Sequence, residues 1–167
     1  MTALMEDPNV AAAAAPPRID YRNVAPAAMH AQLGIETYVR GSGLEKSLLH
    51  LMKIRASYLN GCAYCVDMHT KEARLVDETE QRLYAIPLWH ETPFFTPRER
   101  AALAWTDAVT ELDRGHVSDE VFDEVRRYFT DAEIVNLTMA VVAINGWNRL
   151  SIALRTPVGS YVARRSA

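Results

Sequence analysis

The residues with the clearest chemical potential are the only two cysteines of the chain, Cys62 and Cys65, which lie three positions apart. His69 follows four residues after the second cysteine. Side chains three or four positions apart share one face of an α-helix, so a helix that starts at the cysteines would bring all three groups together. A lone Cys-x-x-Cys pair indicates redox or metal chemistry more often than a structural disulfide.

The predicted position of the pair at the start of a helix favours thiolates. Asn60 and Gly61 predict the end of one helix, which puts the cysteines in the first turn of the next. Unpaired N–H groups and the positive end of the helix dipole lie there, and thiols in such positions have pKa values of roughly 3.5–7.5. His69 could accept a thiol proton, and one cysteine could resolve a sulfenic acid on the other. The pattern therefore predicts a dithiol redox site.

Other interpretations of the same residues compete with this one. The two cysteines could be buried and inert, since free cysteine often packs as a small hydrophobic residue. Cys62, Cys65 and His69 could instead bind zinc, with His50 as the fourth ligand. A thioredoxin-like site is not expected, because it needs a strand before the pair and residues 44–59 have helical periodicity.

Helical patterns also cover most of the remaining chain. It has only seven glycines and no sustained alternation of apolar and polar residues, which argues against half-buried strands. Capping boxes start helices at Thr96 and Thr130, and Ser118 caps a short helix. The last helix is apolar on most sides, so it should be central or lie in a subunit interface. The predicted helices span residues 26–40, 44–59, 62–76, 97–115, 118–129 and 131–155, with a less regular stretch at 77–91.

Composition limits the class of protein and its partners. The chain has 167 residues, of which 49% are hydrophobic and 23% charged, as expected for one globular domain. A formal charge of -3 gives no long-range attraction for nucleic acid or anionic lipid. No run approaches the roughly 18 uninterrupted apolar residues of a membrane span, and the alanine run at 11–15 is too short for a signal peptide. We therefore expect a cytoplasmic protein without nucleic-acid or membrane partners.

Two segments resemble a known family. Residues 53–74 (KIRASYLNGCAYCVDMHTKEAR) resemble the core of the alkylhydroperoxidase AhpD / carboxymuconolactone decarboxylase family, in the AhpD-like branch that keeps both cysteines. Residues 143–155 (AINGWNRLSIALR) resemble the closing segment of that branch. The resemblance implies an all-α, AhpD-like helical domain at residues 19–158, between an N-terminal tail at 1–18 and a C-terminal tail at 159–167. It also implies a homo-oligomer, such as a trimer or hexamer.

The resemblance further implies a thiol peroxidase that needs no metal or other cofactor. By position, Cys65 would attack the peroxide, Cys62 would resolve the sulfenic acid, and His69 would relay protons. The family glutamate of this relay lies twelve residues before the first cysteine, where this chain has His50. A histidine can also accept and pass a proton, so His50 is expected either to act as a catalytic relay partner of His69 or to be a core histidine. The expected partners are a small-molecule peroxide and a dithiol reductant, which for AhpD itself is a lipoyl-bearing protein. AhpD has histidine where this chain has Tyr64, which leaves both substrate and reductant open.

Several polar residues outside the motif are expected to be structural. Arg55 should form a salt bridge with an acidic residue. Asn145, Asn148 and Arg149 should make hydrogen bonds within the fold or at a subunit contact, because buried polar groups need partners. Two alternative functions remain, a decarboxylase-like reaction on a small organic acid and the zinc-binding module, although the decarboxylase branch typically lacks the cysteine pair.

Overall fold

The structure, a computed structural model, describes residues 15–164, and no β-strand occurs among them. The expected all-α fold is confirmed. The predicted tail at 1–18 lies mostly outside the described residues. The α-helices are α1 (Tyr21–Val24), α2 (Pro26–Arg40), α3 (Lys46–Leu59), α4 (Ala63–Leu75), α5 (Glu80–Ala85), α6 (Pro97–Thr110), α7 (Asp119–Arg126) and α8 (Asp131–Leu154), and 3₁₀ helices occupy Ile86–Glu91 and Leu112–Arg114.

Local signals place the helix starts where the sequence predicts them. The capping boxes at Thr96 and Thr130 are both formed, and the Ser118 hydroxyl accepts a hydrogen bond from Val121 N–H. Some limits differ. The second predicted helix begins at Lys46 rather than residue 44. The fourth ends at Thr110 rather than residue 115, because the 3₁₀ helix Leu112–Arg114 follows it.

The stretch at 77–91 is more regular than expected. It contains α5, capped by Thr79, followed by a 3₁₀ helix that starts at Ile86 and carries Pro87 at its second position. Proline is compatible with the first turn of a helix, so it divides the segment without unfolding it. The short α1 was not predicted, because four residues carry too little periodicity to be recognised.

Helix α3 forms the centre of the bundle and packs against α4, α6 and α8. Its buried residues occupy several sides of the helix, including Leu51, Met52 and Ile54, which have no exposed surface. Helix α8 also packs against α2 and α6. Because α3 and α4 are successive and in contact, the turn between them joins two helices that pack directly against each other.

By length and composition, α8 is the one helix within residues 15–164 that could cross a membrane. Its residues Leu137, Val141 and Ile144 are buried in the fold, which is also how a core helix of this composition behaves. Other side chains of α8 remain exposed, including Val135, Val142 and Ile152. Helix α8 therefore packs centrally against several helices and leaves only a narrow stripe exposed.

Candidate active site

The turn between α3 and α4 sets the position of the cysteines. After Asn60, Gly61 adopts a left-handed conformation with φ of 69°. The N–H of Gly61 donates to Tyr58 O and the N–H of Cys62 donates to Ser57 O, at 3.1 and 2.9 Å. This pair of bonds is the Schellman motif, in which glycine reverses the chain without a Cβ clash. The reversal ends at the N-cap of α4, which is Cys62.

The two sulfur atoms lie together in the first turn of α4. Cys62 is the N-cap residue, and its Sγ accepts a hydrogen bond from the N–H of Cys65 at 3.4 Å. The cysteines form a disulfide across a Cα–Cα distance of 5.4 Å. They are 2% and 1% exposed, so only a small group that enters the fold can reach them.

His69 lies one helical turn beyond Cys65 and is bonded to a carboxylate. Its Nδ1 and the Oε2 of Glu72 are 2.9 Å apart. An ionised carboxylate can only accept a hydrogen bond, so Nδ1 carries the proton and Nε2 holds the lone pair. His69 is 4% exposed, and its Nε2 is buried with no hydrogen-bond partner among the described residues. The imidazole is therefore fixed in the tautomer that can accept a proton at Nε2.

Burial and hydrogen bonding keep the carboxyl group of Glu72 ionised and the two imidazoles neutral. Burial by itself raises the pKa of Glu72, but its hydrogen bonds with His69 and Tyr161 outweigh that effect and lower the pKa to about 2. Burial lowers the pKa of His69 and lowers that of His50 to about 4. Near neutral pH the site thus holds one carboxylate and two neutral imidazoles.

His50 reaches the same cluster from α3. The ring centroids of His50 and His69 are 6.4 Å apart, and the Nδ1 of His50 is buried without a hydrogen-bond partner in the described part of the chain. One potential ligand atom from each of His50, His69 and Glu72 lies within 4.8 Å of the others. These three residues could hold a metal ion. The cysteines of the zinc hypothesis are instead bonded to each other.

Glu72 and Tyr161 are site residues that are not among those predicted from the sequence. The hydroxyl of Tyr161 donates to Glu72 Oε1 at 2.7 Å, and Lys71 Nζ donates to the carbonyl of Tyr161 at 3.0 Å. Glu72 could have been found from its position three residues after His69, on the same helix face. Nothing in the spacing indicates Tyr161, which comes from the segment predicted as a C-terminal tail.

A cavity of about 370 Å³ gives access to this cluster. Among the two cysteines, Cys65 is the one in its lining, beside His69 and Glu72. The apolar part of the wall includes Met29, Leu33, Met68 and Trp147, and its polar part includes Arg22, His30, Tyr64 and Tyr161. A mixed apolar and polar cavity of this size is typical of a small-molecule site.

A buried ion pair closes one side of the cavity. Glu36, which lines it, pairs with Lys53 of α3, and Arg40 Nε lies 3.2 Å from the same carboxylate oxygen. Burial raises the pKa of Glu36, but the charge of Lys53 outweighs this and the pKa is lowered overall. Lys53 is thereby neutralised by a partner on α2, which leaves its charge balanced beside the imidazoles.

The polar residues expected to be structural have structural partners. Arg55 forms a two-pronged salt bridge with Asp107, at 2.6 and 2.9 Å, as predicted. The amide of Asn60 donates to both Asn145 and Asn148, at 2.9 Å each, and Asn148 donates to Ser57. Hydrogen bonds within the fold are confirmed for Asn145 and Asn148. They anchor the α3–α4 turn to α8.

Comparisons with known proteins agree with this architecture. The model of the carboxymuconolactone decarboxylase family matches residues 26–108. The chain is 39% identical over 137 residues to the uncharacterized protein YdfG of Bacillus subtilis. The matched region covers 82% of this chain and 93% of YdfG.

Solved structures show the same fold. A protein of unknown function from Agrobacterium tumefaciens, ATU0492, suggested to be the antioxidant defence protein AhpD, is 43% identical with a TM-score of 0.85, covering 87% of this chain and all 100% of that one. An uncharacterized peroxidase-related protein from Ralstonia eutropha, described as an alkylhydroperoxidase AhpD core, is 19% identical with a TM-score of 0.75, covering 86% and 77%. With this sequence identity and coverage, the chain belongs to the carboxymuconolactone decarboxylase family and has the AhpD-like fold.

Proposed function

We propose that the protein is a thiol-dependent peroxidase that reduces hydroperoxides through a dithiol–disulfide cycle of Cys65 and Cys62. The observation that carries the proposal is the placement of Cys65 in the cavity wall beside the carboxylate-bonded imidazole of His69. A nucleophile next to a base that a third group orients is the general arrangement of activated thiols.

In the first step His69 Nε2 accepts the proton of the Cys65 thiol, and the resulting imidazolium is stabilised by the carboxylate of Glu72. The thiolate attacks the distal oxygen of the hydroperoxide, so an S–O bond forms as the O–O bond breaks. The imidazolium returns its proton to the leaving alkoxide. The products are a sulfenic acid on Cys65 and an alcohol, or water when the substrate is hydrogen peroxide.

In the second step the thiol of Cys62 attacks the sulfur of the sulfenic acid. The S–S bond forms, and hydroxide leaves and is protonated to water by the thiol proton of Cys62. The disulfide between the two residues is the product of this step. Rapid closure is favoured because both sulfurs occupy one helical turn, and it protects the sulfenic acid from further oxidation.

In the third step an external dithiol restores both thiols and is itself oxidised to a disulfide. The exposures of 2% and 1% at the cysteines require a reductant that is small enough to enter the cavity. The dihydrolipoyl group of a carrier protein meets this requirement, since it is a narrow dithiol on a flexible arm. Because such carrier proteins are found inside the cell, we also propose a cytoplasmic location. The AhpD-like fold is the separate reason for which we propose a trimer or hexamer.

The size of the cavity favours organic hydroperoxides as well as hydrogen peroxide. A volume of about 370 Å³ is on the order of ten times the roughly 30 Å³ that one water molecule takes in the liquid. The apolar side chains of the cavity wall can bind the organic part of a hydroperoxide, and this contact contributes about 25 cal/mol for each Å² of apolar surface removed from water.

The test is a titration of thiols before and after a stoichiometric pulse of cumene hydroperoxide. The reduced protein should lose two thiols per chain, and dihydrolipoamide should restore both. Cys65→Ser should not consume peroxide, whereas its matched variant Cys62→Ser should complete one turnover and then over-oxidise at Cys65. Undiminished steady-state turnover in Cys65→Ser would refute the mechanism.

A further inference from the structure

The steps of the proposed peroxidase cycle use the His69–Glu72 pair, and the relay role predicted for His50 from the sequence does not account for its unpartnered nitrogen. His50 nevertheless directs a ring into the same cluster, and its Nδ1 is buried with no hydrogen-bond partner among the described residues. The Nε2 of His69, a residue that is 4% exposed, is in the same condition. Two buried nitrogens without partners are unusual in a folded protein, because such groups normally bind a protein group, a water molecule or an ion.

We propose that His50, His69 and Glu72 form a binding site for a divalent cation of the zinc class. One ligand atom from each residue lies within 4.8 Å of the other two. Two imidazoles with one carboxylate are a recurrent ligand set for zinc and neighbouring transition metals, whereas magnesium and calcium prefer oxygen ligands. The ligands come from α3 and α4, which are packed side by side.

The surroundings suit a bound cation in three further ways. Tyr161 donates its hydroxyl to Glu72 Oε1, which is the kind of outer hydrogen bond that orients a metal-binding carboxylate. The buried ammonium group of Lys53 would repel a bound cation, but it is neutralised by the carboxylate of Glu36. His69 and Glu72 also line the cavity, so an ion and a water molecule as fourth ligand can enter from there.

The geometry requires a modest contraction on binding. Zinc lies about 2.0–2.2 Å from its nitrogen and oxygen ligands, so these must approach one another to roughly 3–4 Å. Binding through the unpartnered Nε2 of His69 therefore requires Glu72 to leave its hydrogen bond with His69 Nδ1 and the three ligand atoms, now within 4.8 Å of one another, to move closer together. This set differs from one built on Cys62 and Cys65, because it stays available while the cysteines form a disulfide.

The experiment uses the full-length protein in its oxidised state, after treatment with a chelator and with zero free thiols verified by titration. Zinc is then added in competition with a chromogenic chelator. We expect one equivalent of Zn²⁺ to bind per chain, and Mg²⁺ not to compete. Binding of less than about one tenth of an equivalent would overturn the proposal, and so would equal competition by Mg²⁺.

Matched variants assign the ligands. His50→Ala and Glu72→Gln should each weaken zinc binding by about 100-fold or more, since loss of an outer partner alone costs about 10–100-fold. The controls His116→Ala and Glu91→Gln change exposed residues of the same types and should bind as the wild type does. One equivalent of zinc that none of these substitutions weakens would place the ion elsewhere and refute the site.

A measurement on the wild type covers the case in which a variant fails to fold. Cobalt(II) added to the oxidised protein should give visible d–d absorption of a nitrogen- and oxygen-ligated ion, and one equivalent of zinc should remove it. Absence of that absorption at saturating cobalt would count against the site.

Bound zinc would occupy His69 and so should inhibit peroxide turnover reversibly. This consequence rests on the proposed peroxidase function, whereas the binding itself does not. Zinc titration of the oxidised protein involves no peroxide, and the thiol titration is run with chelator present. The two proposals can therefore fail separately.

Discussion

The substitution Glu72→Gln removes the negative charge of this side chain and keeps its size and shape. In the wild type this group accepts hydrogen bonds from His69 at 2.9 Å and from Tyr161 at 2.7 Å. In Glu72→Gln the amide oxygen can still accept from His69 Nδ1–H, while the amide nitrogen can donate to the phenol oxygen of Tyr161. The imidazole tautomer is therefore retained, and mainly the negative charge is lost.

The size of the effect follows from the charge that develops on His69. When its Nε2 takes the thiol proton, imidazolium and carboxylate attract each other by about 4 kcal/mol at roughly 4 Å and an effective dielectric constant of about 20. Each 1.36 kcal/mol corresponds to about tenfold in rate, so Glu72→Gln should slow oxidation of Cys65 by about 10³-fold. The pKa of Glu72 is about 2, so its carboxylate is fully ionised and carries this charge in an assay near neutral pH.

Stopped-flow fluorescence can measure the second-order rate constant with cumene hydroperoxide, because Trp147 packs against the cluster that contains both cysteines. The exposed Glu91→Gln serves as the control and should react at the wild-type rate. A rate for Glu72→Gln within about threefold of the wild type would refute the reasoning, since His69 would then not become charged in the rate-limiting step. A slow rate in the control would show that the loss is not specific to the site.

Three further predictions concern stability and can be measured by urea unfolding with chelator present. Arg55→Met leaves the largely buried carboxylate of Asp107 without its guanidinium partner and should lower the free energy of unfolding by about 3–5 kcal/mol. A decrease below about 1 kcal/mol would contradict a strong ion pair. Gly61→Ala meets no atom within 4 Å but must keep a φ of 69°, so it should cost about 1–2 kcal/mol from backbone strain alone, and no loss would mean that the turn rearranges. The backbone N–H of Thr130 helps to lower the pKa of Glu133 to about 2. The ionised Glu133 carboxylate therefore stabilises the fold fully above its ordinary pKa of about 4.3, and this contribution is lost as the pH falls toward 2. Glu133→Gln should therefore be less stable than the wild type at pH 6, and a difference that fails to narrow below pH 4 would contradict this account.

Residues close in the sequence account for what could be predicted about the site. The break at Asn60 and Gly61 and the placement of both cysteines in the first turn of α4 depend on hydrogen bonds spanning at most five residues. The same is true of the capping boxes, whose partners are three positions apart. Helical spacing also brings His69 to the same side of α4 as Cys65, where both line the cavity. The proximity of His50 to His69 depends instead on the packing of α3 against α4.

Helix limits at weaker signals were less predictable. The end of α6 at Thr110 depends on how the chain turns toward α7 rather than on a strong terminating residue. The helix α5 lies next to Pro87, which suggested irregularity although the proline is accommodated at the second position of the following 3₁₀ helix.

The sequence by itself determined the all-α fold through helical patterns along the chain, and the family through the resemblance of two segments. It also determined the grouping of two cysteines with a histidine one turn away, because those positions are close within one helix. The tertiary structure decided which carboxylate holds His69, which hydroxyl holds that carboxylate, and which cysteine faces the cavity. Tyr161 and Glu72 are 89 positions apart, and Arg55 and Asp107 are 52 apart. Contacts over such separations depend on how the helices pack, and no local spacing in the chain encodes them.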